Sequence, residues 1–402
     1  MPAQQWMAAD AAAARLGVKP QTLYAYVSRG LVHSEPVPGT RRSRFLRADV
    51  ERLAARQRRG GRARGLEVIV ETELTLLDPS GRLAYRGWDV VEAVRSGASF
   101  EEVASWLWTG ERVAVPFEAS AAGLDAAARA VAAFAASSVM DRVRATVLAA
   151  RSTDDLRDDR RPVAVAMAGR SLVATIVGSL PLTDGASEAP AGASIARRLW
   201  PRLTGQPADA ARVRLLEAAL VLLADHELAA STLAARVTAS TWADPYLVVE
   251  AGLAALGGPL HGAASSAARG VLREVEGGVP ATEAIGRRLR DHQLIPGFGH
   301  GVYREGDPRA RLLLELLDEA GASSDAELDL VRTMEERGLP FPNVDFAIAS
   351  MAERHDMIEQ AGEVIFATTR TVGWLAHAAE EYQHRLRFRP RAVYTGPAVT
   401  PG

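Results

Sequence analysis

Gly-Gly-Pro-Leu-His-Gly at 257–262, Pro-Gly-Phe-Gly-His-Gly-Val-Tyr-Arg-Glu-Gly-Asp-Pro-Arg at 296–309 and Phe-Pro-Asn-Val-Asp-Phe at 341–346 are the stretches on which the reading of this chain turns. Each closes a helix-like segment with Gly or Pro and then delivers one titratable side chain, His261, His300 or Asp345. Glycine lets a backbone approach a ligand closely and proline stops the preceding helix, so the pattern is one of site loops on a helical frame. Two imidazoles and a carboxylate are a minimal acid/base set. The carboxylate can take a proton from carbon, one histidine can hydrogen-bond the oxygen where charge collects, and the other can polarise an electrophilic carbonyl.

The three motifs, in this order, resemble those of the citrate synthase family. The resemblance runs more loosely over about 66–402, from Tyr85-Arg86-Gly87-Trp88-Asp89 to the Arg389-Pro390-Arg391 tail. It implies a mainly α, two-domain helical fold in a homodimer. The large domain would be 66–259 plus 362–402, and the small domain, 260–361, would close over it. By position, Asp345 would remove a methyl proton from acetyl-CoA. His261 would hydrogen-bond the thioester oxygen as the enol or enolate forms, and a helix start at Ala263–Val275 would keep it neutral. His300 would polarise the oxaloacetate ketone.

The same resemblance assigns the carboxylates of oxaloacetate to His226, Arg309, Arg370 and Arg389, the last reaching into the neighbouring subunit's site; guanidinium forks suit carboxylates. Phe298 and Gly299 match the loop that receives the CoA adenine, and Arg304 a position near a CoA phosphate. Taken alone, His226 reads as a satisfied core histidine, Asp345 as a helix cap and each arginine as a surface charge. Ala229 stands where the family has Asn, Gly262-Ala263-Ala264-Ser265-Ser266 where it commonly has Gly-Gly-Ala-Asn-Glu, and Gly301 where many members have Arg. The reaction implied is condensation of acetyl-CoA with oxaloacetate and hydrolysis to citrate and CoA, with no metal or redox cofactor. One alternative is 2-methylcitrate synthesis from propionyl-CoA. The other is a DNA-binding regulator whose synthase-like body serves as dimeriser and metabolite sensor.

The composition agrees with this frame. With 402 residues, 48% apolar and 24% charged, the chain is long enough for two or three domains with ample core. The absence of cysteine excludes disulfides and thiolate metal sites. His292, His355, His377 and His384 have no metal-site spacing and read as structural or surface residues. No basic segment followed by an apolar run opens the chain, and Asp125 and Arg129 interrupt the Ala-rich stretch 119–136, so no signal peptide or membrane span is expected and the cytoplasm is the simplest location.

Charge divides the chain. Residues 1–65 carry a formal +9 and residues 66–402 a formal −11. In the basic segment Ala8–Leu16 is helix-prone, Gly17 stops it and Pro20 opens a second helix through Ser28, which is helix-turn-helix grammar. Met7 stands where a capping Ser or Thr is usual. With Phe45-Leu46 after a Pro/Gly-rich stretch and a helical pattern at 48–59, residues 1–58 resemble a winged helix-turn-helix module of the excisionase and mercury-resistance-regulator type. Gln21, Thr22 and Tyr24 would then lie on the recognition helix, and Arg41, Arg42 and Arg44 near phosphate. The bland alternative is a basic helical module that only docks or solubilises. Residues 59–65 read as a linker.

Between linker and motifs, a strand is expected at 68–76 with a turn at 78–81. Helices follow at 100–109, 119–136, 140–150, 163–180, 195–204, 210–239 and 244–256, the sixth running through Asp225-His226-Glu227-Leu228. The stretch 154–161 is a charged, exposed loop, and no βαβ alternation or phosphate-loop pattern occurs.

Overall fold

A computed structural model describes residues 6–50 and 70–388, apart from 17, 19, 29–31, 38, 39, 41, 42, 48, 259–261, 263, 322 and 385–387. The chain divides into two units, Met1–Glu71 and Thr72–Gly402. In the first, β1 (Trp6–Ala8), α1 (Ala9–Leu16), α2 (Pro20–Ser28), β2 (Ser34–Pro36) and β3 (Ser43–Leu46) follow in order. The strands form an antiparallel sheet in the order β1-β3-β2, with Trp6 opposite Leu46 and Ser34 opposite Phe45. Met7 is thus a strand residue opposite Phe45 and not a helix cap. Ala12, Leu16, Leu23, Val32, Phe45 and Val50 make this unit's small core. Most of the helical pattern at 48–59, and all of the linker, lie outside the described residues.

The second unit opens with an antiparallel meander of β4 (Thr75–Asp78), β5 (Arg82–Tyr85) and β6 (Trp88–Asp89). The turn lies where Asp78-Pro79-Ser80-Gly81 puts it, and Asp78 Oδ1 accepts the Ser80 amide at 2.8 Å. The strand begins later than expected. Pairing counted back from that turn ends at Thr75 opposite Tyr85, and the Thr72 hydroxyl takes the Leu74 amide instead.

Helices then account for most of the chain: α3 (Val90–Arg95), α4 (Phe100–Thr109), α5 (Ala121–Ala133), α6 (Val139–Arg151), α7 (Pro162–Ser179), α8 (Ile195–Leu203), α9 (Ala210–Leu223), α10 (Ala230–Ala239), α11 (Pro245–Leu256), α12 (Ala264–Glu276), α13 (Ala281–Arg290), α14 (Pro308–Glu319), α15 (Asp325–Glu336), α16 (Val344–Arg354) and α17 (Ala361–Gln383). Ser99, Ser120, Ser138, Ser194, Asp209 and Asp244 each sit at an N-cap and accept an amide of the first turn.

α17 is the hub. It is apolar or small on nearly every face, which suits a helix surrounded by others, and it packs against α4, α7, α9, α10 and α11. α7 is long and apolar enough to cross a membrane, and it packs here against α4, α5, α6 and α17. A second apolar cluster, with Val271, Ile285, Phe298, Leu330, Met334 and Phe346, joins α12, α13, α15 and the start of α16.

The single helix expected over 210–239 is two helices. α9 stops at Leu223 and α10 starts at Ala230, with Glu227 between them in the left-handed region at φ +52°. Apolar periodicity continues across the break, but the buried Asp225 and Tyr85 override it. The Tyr85 hydroxyl lies 3.2 Å from each of the Val221 and Leu222 carbonyl oxygens and 3.1 Å from that of Asp225, so its one hydrogen is shared among the carbonyls at and just beyond the end of α9.

Candidate active site

Two loops are tied together before any site residue is placed. The Gly299 amide donates to the Phe341 carbonyl at 2.7 Å, the Asn343 amide to Gly297 O at 2.9 Å, and Asn343 Nδ2 to Gly299 O at 2.8 Å. Gly297 and Gly299 hold φ of +83° and +82°, a conformation that side chains with Cβ rarely adopt. This pairing sets His300 at the end of one loop and Asp345 in the first turn of α16. Asn343 is the cap of α16, accepting the Asp345 amide at 3.0 Å, so the helix-cap reading of Asp345 does not hold.

His300 is oriented by its own loop. Its Nδ1 accepts the amides of Val302 at 3.0 Å and Tyr303 at 3.2 Å. An imidazole nitrogen that accepts carries no hydrogen, so the neutral ring has its hydrogen on Nε2. Burial, reinforced by the Arg309 charge, lowers its pKa to about 4. Around it, the His226 and His300 ring centroids are 5.1 Å apart, those of His300 and Tyr303 4.5 Å, and His226 Nε2 lies 3.3 Å from the Tyr303 hydroxyl.

Asp345 is half-buried. Burial, helped by Asp307 and opposed by Arg309 and Arg370, raises its pKa to about 6. Asp307 behaves in the opposite sense. Burial works to raise its pKa, but Arg309 outweighs burial and holds the carboxyl below the usual range. Arg309 donates to it through Nε at 2.9 Å and Nη2 at 2.8 Å. Asp307 also takes the Arg309 amide at the start of α14 and the Val344 amide at the start of α16. Arg370, buried on α17, donates Nε to Leu223 O at 3.0 Å, the last residue of α9 before the His226 loop.

Thus His226, His300, Asp345, Arg309 and Arg370 converge. Tyr303, Asp307 and Asp225, which the motif reading quoted without a role, are part of the same arrangement. Phe298 is a core residue, its ring 4.8 Å from that of Phe346, and Arg304 is exposed, with its amide on Pro79 O at 3.2 Å. His261 and Arg389 lie outside the described residues. Next to His261, Gly262 donates its amide to Leu256 O at 2.9 Å, and a Cβ there would meet that oxygen at 2.3 Å, so the turn requires glycine.

The departures at 229 and 265 acquire a local meaning. Ala229 is the N-cap of α10 without a side-chain cap bond. Ser265 is buried against Gly362. In the first unit Arg41 and Arg42 lie outside the described residues, and of Gln21 only its place on α2 is described. Thr22 and Tyr24 are also on α2, Tyr24 partly exposed with its ring 5.6 Å from Phe45. Arg44 is held by Glu35 and lies over the Trp6 ring at 5.3 Å.

A family model for the citrate synthase C-terminal domain matches residues 65–391. Citrate synthase of Haloferax volcanii is 33% identical over 364 residues, covering 83% of this chain and 95% of that protein. Citrate synthase 2 of Bacillus subtilis is 40% identical over 212 residues, half of this chain and 56% of the relative's length. The citrate synthase of the archaeon Thermoplasma acidophilum, solved with carboxymethyl coenzyme A and oxaloacetate, superposes with a TM-score of 0.68 at 26% identity, covering 83% of this chain and 95% of that one. On these matches the chain belongs to the citrate synthase family.

Proposed function

We propose that the chain condenses acetyl-CoA with oxaloacetate and hydrolyses the product to citrate and CoA. One observation carries the reading: a neutral His300, its Nε2–H free of the backbone bonds that fix Nδ1, lies within the field of the same Arg309 charge as a carboxylate whose pKa is raised to about 6. A carbon acid as weak as a thioester methyl needs a base of raised pKa, and the ketone it attacks needs a donor that does not itself ionise. Asp345 would take the methyl proton, His261 would hydrogen-bond the enolate oxygen, and His300 would polarise the ketone. His226, Arg309 and Arg370, completed by Arg389 of a second copy, would hold the two carboxylates. The acyl-CoA is a substrate, and the chemistry calls on no cofactor.

Propionyl-CoA differs by one methylene, which pockets discriminate only modestly, by roughly 10- to 200-fold. CoA release is therefore expected with acetyl-CoA and, more slowly, with propionyl-CoA, measured with oxaloacetate by thiol titration. No release with either would refute the enzyme reading.

The homodimer is supported by exposed apolar side chains around neighbouring helices. They are Leu156 before α7, Val163 and Met167 on α7, Trp242 between α10 and α11, and Leu247 on α11. Light scattering showing only monomer would remove it. For residues 1–58, two short helices three residues apart in sequence, followed by strands that complete a three-stranded sheet, support the winged helix-turn-helix reading and duplex DNA as partner. Salt-sensitive retention of duplex DNA in a gel shift is expected of the full chain and not of residues 66–402. Equal retention by the two would remove the DNA reading.

A further inference from the structure

His377, read from sequence as a structural or surface residue, is fully buried on α17. Its Nδ1 lies 3.0 Å from Arg236 Nη1. Arginine offers only donors, so Nδ1 accepts and the ring hydrogen is on Nε2, 3.2 Å from Asp225 Oδ2. Arg236 is itself anchored: Glu381 Oε2 takes Nε at 3.1 Å and Nη2 at 2.9 Å, and Glu380 takes Nη1 at 2.6 Å. At the other end, Asp225 Oδ2 also accepts the Thr75 hydroxyl at 2.6 Å and the Glu227 amide at 3.0 Å.

Asp225 precedes His226, the histidine that faces Tyr303 and His300. The segment it leads has little local means of holding its shape, with Glu227 left-handed and the α10 cap at Ala229 lacking a side-chain bond. Tyr85 holds the Asp225 main chain, and the Asp225 carboxylate is the side-chain anchor of the segment. We propose that His377 is a positioning residue for the dicarboxylate substrate: it passes the fixed position of Arg236 to Asp225 and so holds the 225–228 loop with His226 aimed into the site. The inference rests on the citrate synthase reading of that site.

Glutamine can reproduce both bonds, accepting from Arg236 and donating to Asp225; leucine can make neither. Oxaloacetate binding by the full-length protein is measured by titration calorimetry, with melting temperatures and the KM for acetyl-CoA in parallel. His377→Leu should weaken oxaloacetate binding by roughly tenfold or more, the scale of a lost hydrogen bond to a charged group. It should leave the acetyl-CoA KM near the wild-type value, and His377→Gln should restore binding to within a few-fold. A folded His377→Leu with wild-type affinity, or a Gln variant no better than Leu, would overturn the assignment. If His377→Leu does not fold, Thr75→Val removes another bond to the same oxygen with little change of shape, and wild-type oxaloacetate affinity there would overturn it equally. A wild-type protein that binds no oxaloacetate would remove the functional reading, and this inference with it.

Discussion

Replacing Asp345 by Asn is expected to slow CoA release at saturating substrates by roughly 10³-fold, within the range that a positioned general base contributes. The KM values should change far less. Asn keeps the shape of the side chain in the first turn of α16, where Asn343 provides the cap, so folding should be preserved. The wild-type pH profile supplies a second check. A base must be ionised to act, and burial raises the Asp345 pKa to about 6. Activity should therefore fall as pH drops through about 6. His300, at about 4, stays neutral over the same interval and adds no second limb there. An Asn variant retaining a tenth or more of the wild-type rate would show that Asp345 is not the base.

Asp307→Asn should be the most costly of these substitutions for stability. Asn can still cap α14, since it is as good an N-cap as Asp, so the change isolates the charge. It leaves the Arg309 guanidinium, 3% exposed, without its buried counter-ion. Breaking a buried pair from one side costs about 3–5 kcal/mol, which should lower the melting temperature by about 10 °C. The pH dependence follows from the sign of the shift. The folded-state pKa of Asp307 is depressed, so its contribution to stability is present above the ordinary carboxylate pKa and is lost as pH falls through the folded value. The wild type should lose stability in acid that the Asn variant never had. Calorimetric scans that coincide for the two proteins at neutral pH would rule out this role for the pair.

The helices were the legible part. Ser or Asp caps and Pro at first turns are local signals, and they place α4, α8 and α11 within a residue or so of the expected spans. Apolar periodicity misled where burial is complete. Across 210–239 every residue that could extend a helix was present, and the break at 224–229 comes from Tyr85 and Thr75, some 140 to 150 positions away in the chain. The late start of β4 is local by contrast, set by pairing counted back from the turn and by the Thr72 hydroxyl taking the Leu74 amide.

The residue types of the site, His226, His300, Asp345 and the arginines, were decided by the sequence, because three motifs in one order constrain chemistry even without geometry. Only the tertiary structure decided their states. The His300 tautomer depends on which amides its loop presents, the raised pKa of Asp345 on burial among Asp307, Arg309 and Arg370, and the buried setting of His377 on the meeting of α17 with Arg236 and Asp225. Protonation and orientation are set by neighbours in space, and those neighbours come from segments far apart in the chain.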